Sequence, residues 1–147
     1  MKTSVNGINL IKKFEGCKLN AYPDPGTGGD PWTIGYGNTF YSDGTKVKKG
    51  DKITQKQAEE LLLMLLPRYE KIVIKNIKKP LTQNQFDALV SFCWNTGGSE
   101  TLFKMINEQK SNDDIRQWYT THYITGGGKV LKGLVNRRLD ESNLFFS

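Results

Sequence analysis

Residues 16–50 read GCKLNAYPDPGTGGDPWTIGYGNTFYSDGTKVKKG, and this stretch decides the fold. Glycine, proline, threonine and aromatic residues crowd together, which predicts turns and short strands rather than helix. Within it Thr33 to Tyr41 alternates imperfectly and leads to Ser42-Asp43-Gly44, a hairpin signal. The chain on either side reads differently. Upstream, Ile8, Ile11 and Phe14 recur at helical spacing, Ser4 or Asn6 can cap the start, and Gly16 suits a left-handed stop. A helix is therefore expected from about Ser4 to Glu15.

After Thr54 nearly everything reads as helix. Thr54-Gln55-Lys56-Gln57 is a capping box opening a run with Ala58, Leu61, Leu62, Leu65 and Leu66 on one face. Pro67 should kink or divide that helix. A second box, Thr82 to Gln85, precedes an apolar stripe of Phe86, Leu89, Val90 and Cys93. Ser99 and Ser111 can cap two shorter helices. The triplet Gly126 to Gly128 interrupts the chain before a last helix from roughly residue 133 to 145. The expected architecture is α+β in a single domain over residues 1–147. A small strand-and-loop lobe is inserted before a larger helical lobe, and a cleft between unequal lobes is a natural ligand site.

Bulk properties narrow the function. Lys and Arg exceed Asp and Glu by 21 − 15 = 6, and the isoelectric point is near 9.3, so a polyanionic partner is favoured. Nucleic acid, anionic lipid and cell wall all qualify on charge. No helix-turn-helix, zinc-finger or RNA-binding signature is present, so nucleic acid is not expected. Cys17 and Cys93 are too few for a disulfide framework and read as free thiols. His122, the single histidine, lacks companions at metal-ligand spacing and reads as structural or surface; no metal or cofactor is expected. Trp94 and Trp118 read as core. Lys71, Lys75, Lys78 and Lys79 read as a solvated helix face that can also attract an anionic envelope. No apolar run is long enough to span a bilayer, and no signal-peptide pattern opens the chain.

Three positions can do chemistry. Glu15 ends the first predicted helix, where the negative end of the helix dipole favours a protonated carboxyl, as a general acid requires. Asp24 lies between Pro23 and Pro25, in a backbone that resists helix. It can form a turn, or supply the second carboxylate of a glycosidase pair. Next comes Pro31-Trp32-Thr33-Ile34-Gly35-Tyr36-Gly37, where the Thr33 hydroxyl can position a water. Trp32 and Tyr36 can offer flat faces to sugar rings.

These residues carry a resemblance. Leu10 to Gly16, Ala21-Tyr22 and Trp32 to Gly37 are similar to the opening of phage lysozymes of glycoside hydrolase family 24. Leu81 to Phe92, with Asn95, Gly97 and Leu102, resembles the family's central helix. Gly133 to Arg138, with Glu141, Leu144 and Phe145, resembles its C-terminal helix. The likeness implies a lysozyme-like fold and hydrolysis of the β-1,4 bond between N-acetylmuramic acid and N-acetylglucosamine, with inversion. It implies a catalytic set of Glu15 as acid with Asp24 and Thr33 handling water. Trp32, Tyr36 and Arg137 then become substrate-binding candidates, with Arg137 facing Glu15, where its cation opposes protonation of the acid.

Two departures from the family pattern stand out. Eight residues separate Asp24 from Thr33 where five are usual, so either a longer loop is tolerated or Asp30 replaces Asp24. Asn38 stands where many relatives have His, which bears on local stability more than activity. The resemblance further implies peptidoglycan strands as partner, a monomer, and residence in the host cytoplasm until a holin-type partner opens the membrane. A phage tail is the second location. The competing readings are a lytic transglycosylase, which leaves a 1,6-anhydro product, and a non-catalytic basic binder of cell wall or nucleic acid.

Overall fold

The computed structural model describes all 147 residues, in the order α1 (Val5–Glu15), β1 (Lys18–Tyr22), β2 (Thr33–Gly35), α2 (Gln55–Asn76), α3 (Gln83–Thr96), α4 (Glu100–Asn107), α5 (Asn112–Thr121), β3 (Thr125–Gly126), β4 (Lys129–Val130), α6 (Lys132–Phe145). They group into two compact units. One comprises residues 1–14 and 68–147; the other comprises residues 15–67. The α+β class is as expected: the first unit is helical, the second is strand and loop with one helical segment.

The helical unit is built on α3, whose residues Phe86 to Cys93 are all buried. It packs on α6, which packs on α5, which packs on α4. The caps foreseen are in place. Thr82 and Gln85 close a reciprocal box, and the Ser99 and Ser111 hydroxyls accept from Leu102 N and Asp114 N. At the other end of the unit, Asp87 of α3 holds the entry to α1: its carboxylate accepts from Ser4 N at 3.0 Å and from the Ser4 hydroxyl. Gly7 permits that approach, because a Cβ there would meet Asp87 Cβ at 2.8 Å.

Two features of this unit differ from expectation. The Gly126–Gly128 interruption is itself ordered, as a two-residue hairpin of β3 and β4 turning at Gly127-Gly128. Trp94 and Trp118 are half-buried rather than core. Trp94 leans on Tyr69 with centroids 5.0 Å apart, and Trp118 stacks on the exposed His122 ring at 4.4 Å. Each indole has a neighbouring ring to cover one face, which satisfies it without full burial. His122 is a surface residue, as read from the sequence.

The strand-and-loop unit holds antiparallel β1 and β2, with Lys18 opposite Gly35 and Tyr22 opposite Thr33. The expected hairpin forms around Ser42-Asp43-Gly44, where Gly44 N donates to the Tyr41 carbonyl and Val47 N to that of Thr39. Its arms meet only at the Phe40–Lys46 bridge; upstream, Gly35 and Gly37, both at positive φ, turn the chain back so that Ile34 bridges Asn38. Ile34, Val47 and Leu61 form the core, covered by Ala21, Trp32, Tyr41, Ile53 and Met64.

Thr54 and Gln57 complete their box at 2.8 and 3.1 Å. The helix they open runs on through Pro67 to Asn76, so the proline does not divide it. Proline removes the N–H that would reach the carbonyl four residues back. That residue, Leu63, is exposed, and the surviving bonds on both sides carry the helix across. Both cysteines are free, Cys17 half-buried and Cys93 buried; burial pushes the Cys93 thiol up to about 12.

Candidate functional site

Glu15 is the last residue of α1 and is half-buried. Its carboxyl lies against the Gly37 backbone: a Cβ at Gly37 would stand 3.1 Å from Glu15 Oε1. Gly37 also has φ +94°, which an L side chain rarely adopts. The turn therefore requires glycine, and a Cβ there would also push the Glu15 carboxyl aside by a few tenths of an ångström.

Thr33 begins β2 and is paired in register with Tyr22, the last residue of β1. Partial burial, together with the negative charge of Glu15, holds the Tyr22 phenol above its usual value, with Thr33 pulling the other way. The sequence presents Tyr22 only as part of a motif. Its place opposite Thr33 becomes visible once β1 and β2 pair.

Asp24 follows two residues later, on a loop closed by its own backbone. Asp24 N donates to the Gly29 carbonyl at 2.9 Å, Gly28 N to the Asp24 carbonyl at 2.8 Å, and Gly26 N to Asp24 Oδ1 at 2.6 Å. Thr27 Oγ1 donates to the Asp30 carbonyl at 2.7 Å. The longer segment between Asp24 and Thr33 folds into this turn, and Tyr22 pairs with Thr33 across it. Asp30 is exposed and borders a different hollow, about 340 Å³, with Pro31, Trp32, Phe40 and Lys46 among its lining.

The two aromatic candidates are unlike each other. Trp32 is half-buried and reaches that hollow. Tyr36 is only 5% exposed, so its ring face is packed and only its hydroxyl end points to polar company. That oxygen accepts from Gln55 Nε2 at 2.9 Å, while Gln55 Oε1 accepts from the Cys17 thiol at 3.5 Å. Asn38 is buried and donates to the Leu61 carbonyl at 3.3 Å. Its own Oδ1 finds no protein donor, a cost to local stability of about 1–3 kcal/mol.

Arg137 belongs to the helical unit and is 3% exposed. Its Nε lies 3.2 Å from Glu141 Oε2 and its Nη2 donates to the Ser91 carbonyl at 3.1 Å; the guanidinium also sits over the Phe14 ring. Arg138 Nε lies 3.0 Å from Glu141 Oε1, and the Ser91 hydroxyl donates to Glu141 at 2.6 Å. Burial raises the Glu141 carboxyl, with both arginines pulling the other way. The spacing of Arg137, Arg138 and Glu141 at i, i+1 and i+4 is the sequence signal for this buried group.

No group of three or more His, Cys, Asp or Glu side chains is arranged to hold a metal ion. The chemistry on offer is a carboxyl near two hydroxyl-bearing residues paired across β1 and β2, suited to moving a proton and orienting a water.

The chain is 42% identical over its whole length to the endolysin of Bacillus phage PZA. It spans little more than half of that relative, 56%. The muramidase domain of SpmX from Asticaccaulis excentricus superposes with a TM-score of 0.83 at 36% identity, covering 99% of this chain and 98% of that one. The endolysin of an Escherichia coli phage, FAHEc1, gives 0.82 at 38% identity, covering 100% and 94%. The Phage lysozyme family profile matches residues 12–141. With the profile spanning nearly the full length and the glutamate, aspartate and threonine motifs in order, the chain belongs to the phage lysozyme family.

Proposed function

We propose that this chain is a muramidase: it hydrolyses the β-1,4 bond between N-acetylmuramic acid and N-acetylglucosamine in peptidoglycan. The observation that carries the reading is the Glu15 carboxyl seated at Gly37, with Thr33 paired to Tyr22 across β1 and β2, in a chain whose relatives are muramidases and endolysins. Glu15 gives its proton to the glycosidic oxygen as the bond breaks. Asp24 and Thr33 hold the water that attacks the anomeric carbon, the carboxylate as base and the hydroxyl as a second anchor. With water entering opposite the leaving group, the outcome is inversion. Trp32 is assigned to the sugar through its reachable ring, and Tyr36, whose ring is packed, is assigned to holding Gln55 through its hydroxyl. Arg137, locked to Glu141, is assigned to holding charge in place rather than to gripping substrate.

The role is host lysis or wall penetration by a phage, acting as a monomer. In the lysis role the enzyme waits in the host cytoplasm until a membrane-permeabilising partner lets it reach the wall. Mass spectrometry of digested, purified peptidoglycan tests the chemistry. The reading predicts reducing N-acetylmuramic acid termini carrying one oxygen from labelled water. A 1,6-anhydro terminus without label would instead make the protein a lytic transglycosylase.

A further inference from the structure

The basic run of residues 68–79 takes no part in the chemistry above. Its cations are Arg68, Lys71, Lys75, Lys78 and Lys79, against the one acid Glu70. Glu70 is turned to other use, accepting from Thr3 N and Oγ1 at 2.7 Å each. The helical bond pattern continues past Asn76, with Ile77 N donating to the Val73 carbonyl. Residues 71, 74, 75 and 78 therefore share one face, at i, i+3, i+4 and i+7. Val73 and Ile77 are buried on the other side.

The centre of the exposed face is not polar. Ile74 is 56% exposed, ringed by Lys71, Lys75 and Lys78, all exposed. Beside it opens an apolar hollow of about 170 Å³ lined by Val73, Ile74, Ile77, Leu81 and Phe86, with Lys79 at its edge. An exposed isoleucine set among cations does nothing for a wholly polar polyanion. It suits a surface that is anionic outside and apolar just beneath, which describes a bilayer rich in anionic phospholipid.

We propose that this face, Lys71, Ile74, Lys75 and Lys78 with the adjoining hollow, docks the protein on anionic phospholipid bilayers. Lysines supply attraction to the headgroups and Ile74 enters the boundary of the acyl region. The proposal is independent of the catalytic assignment, since none of these residues belongs to it.

The test is co-sedimentation of the full chain with vesicles of phosphatidylglycerol or of phosphatidylcholine alone, with soluble polyphosphate as competitor. Binding to phosphatidylglycerol and not phosphatidylcholine is expected. Lys71→Gln/Lys75→Gln/Lys78→Gln should weaken it by roughly tenfold or more. Ile74→Ser should weaken it severalfold while leaving polyphosphate binding unchanged. Both variants should keep wild-type circular dichroism; Ile74→Ser should keep wild-type turnover of purified peptidoglycan, and the triple glutamine variant should keep wild-type kcat. Failure of the wild type to bind phosphatidylglycerol overturns the proposal. So does unchanged binding by either folded variant. Equal loss of vesicle and polyphosphate binding in Ile74→Ser overturns the bilayer as occupant.

Discussion

Gly37 sets how closely the Glu15 carboxyl can approach the backbone, so a methyl there is an informative perturbation. Gly37→Ala places Cβ 3.1 Å from Glu15 Oε1 at a φ of +94°. Left-handed backbone costs an L residue about 1–2 kcal/mol, so the free energy of unfolding from urea titration should fall by that amount. Wall hydrolysis, compared at equal folded fraction, should fall further. Full activity in the folded variant would mean that the seat of the carboxyl on Gly37 is immaterial. A second local device is the Tyr41 hydroxyl donating to Asp51 at 2.7 Å, with Lys48 N donating to the same oxygen. These bonds lower the Asp51 carboxyl below 3.8, while burial and Asp51 push Tyr41 up to about 12. The stability from Asp51 is therefore complete above 3.8 and lost as pH falls through its lowered value. That from Tyr41 is complete below 10 and lost as pH rises toward 12. Tyr41→Phe should flatten stability against pH at both ends, which urea titrations at acid and alkaline pH will read.

The elements show what sequence can and cannot say. Capping boxes at Thr54 and Thr82 and the stripe from Phe86 to Cys93 were legible because they are local: hydrogen-bond partners three residues apart and a 3.6-residue period. The path of α2 through Pro67 was not, since neighbouring bonds and packing decide whether a proline divides a helix. The hairpin of β3 and β4 was hidden in a glycine run that reads only as a break. Of the candidate site, Glu15, Asp24 and Thr33 are legible by motif. The Tyr22 partnership was not, because it follows from strand register. Packing of α3 on α6 makes its own prediction. Glu141, fully buried, holds Arg137, Arg138 and Ser91 together. Glu141→Ala leaves two buried cations without their carboxylate and should cost about 3–5 kcal/mol in urea unfolding. A loss below 1 kcal/mol would mean that the arginines find other partners.

At the scale of the whole molecule, a net charge of +6 brings a basic protein toward an anionic wall. Such attraction weakens with salt. Raising ionic strength should raise KM on isolated cell walls and leave kcat nearly unchanged; a fall in kcat alone would assign the salt effect to the chemistry instead. In the proposed reaction, bond breaking depends on one carboxyl. The most direct measurement is the rate at which Glu15→Gln, shown to be folded by circular dichroism, releases reducing ends from purified peptidoglycan beside the wild type. Loss of the general acid should lower that rate by about 10²–10⁴-fold with little change in wall binding. A folded variant that still cuts at the wild-type rate would contradict the assignment of Glu15 as proton donor.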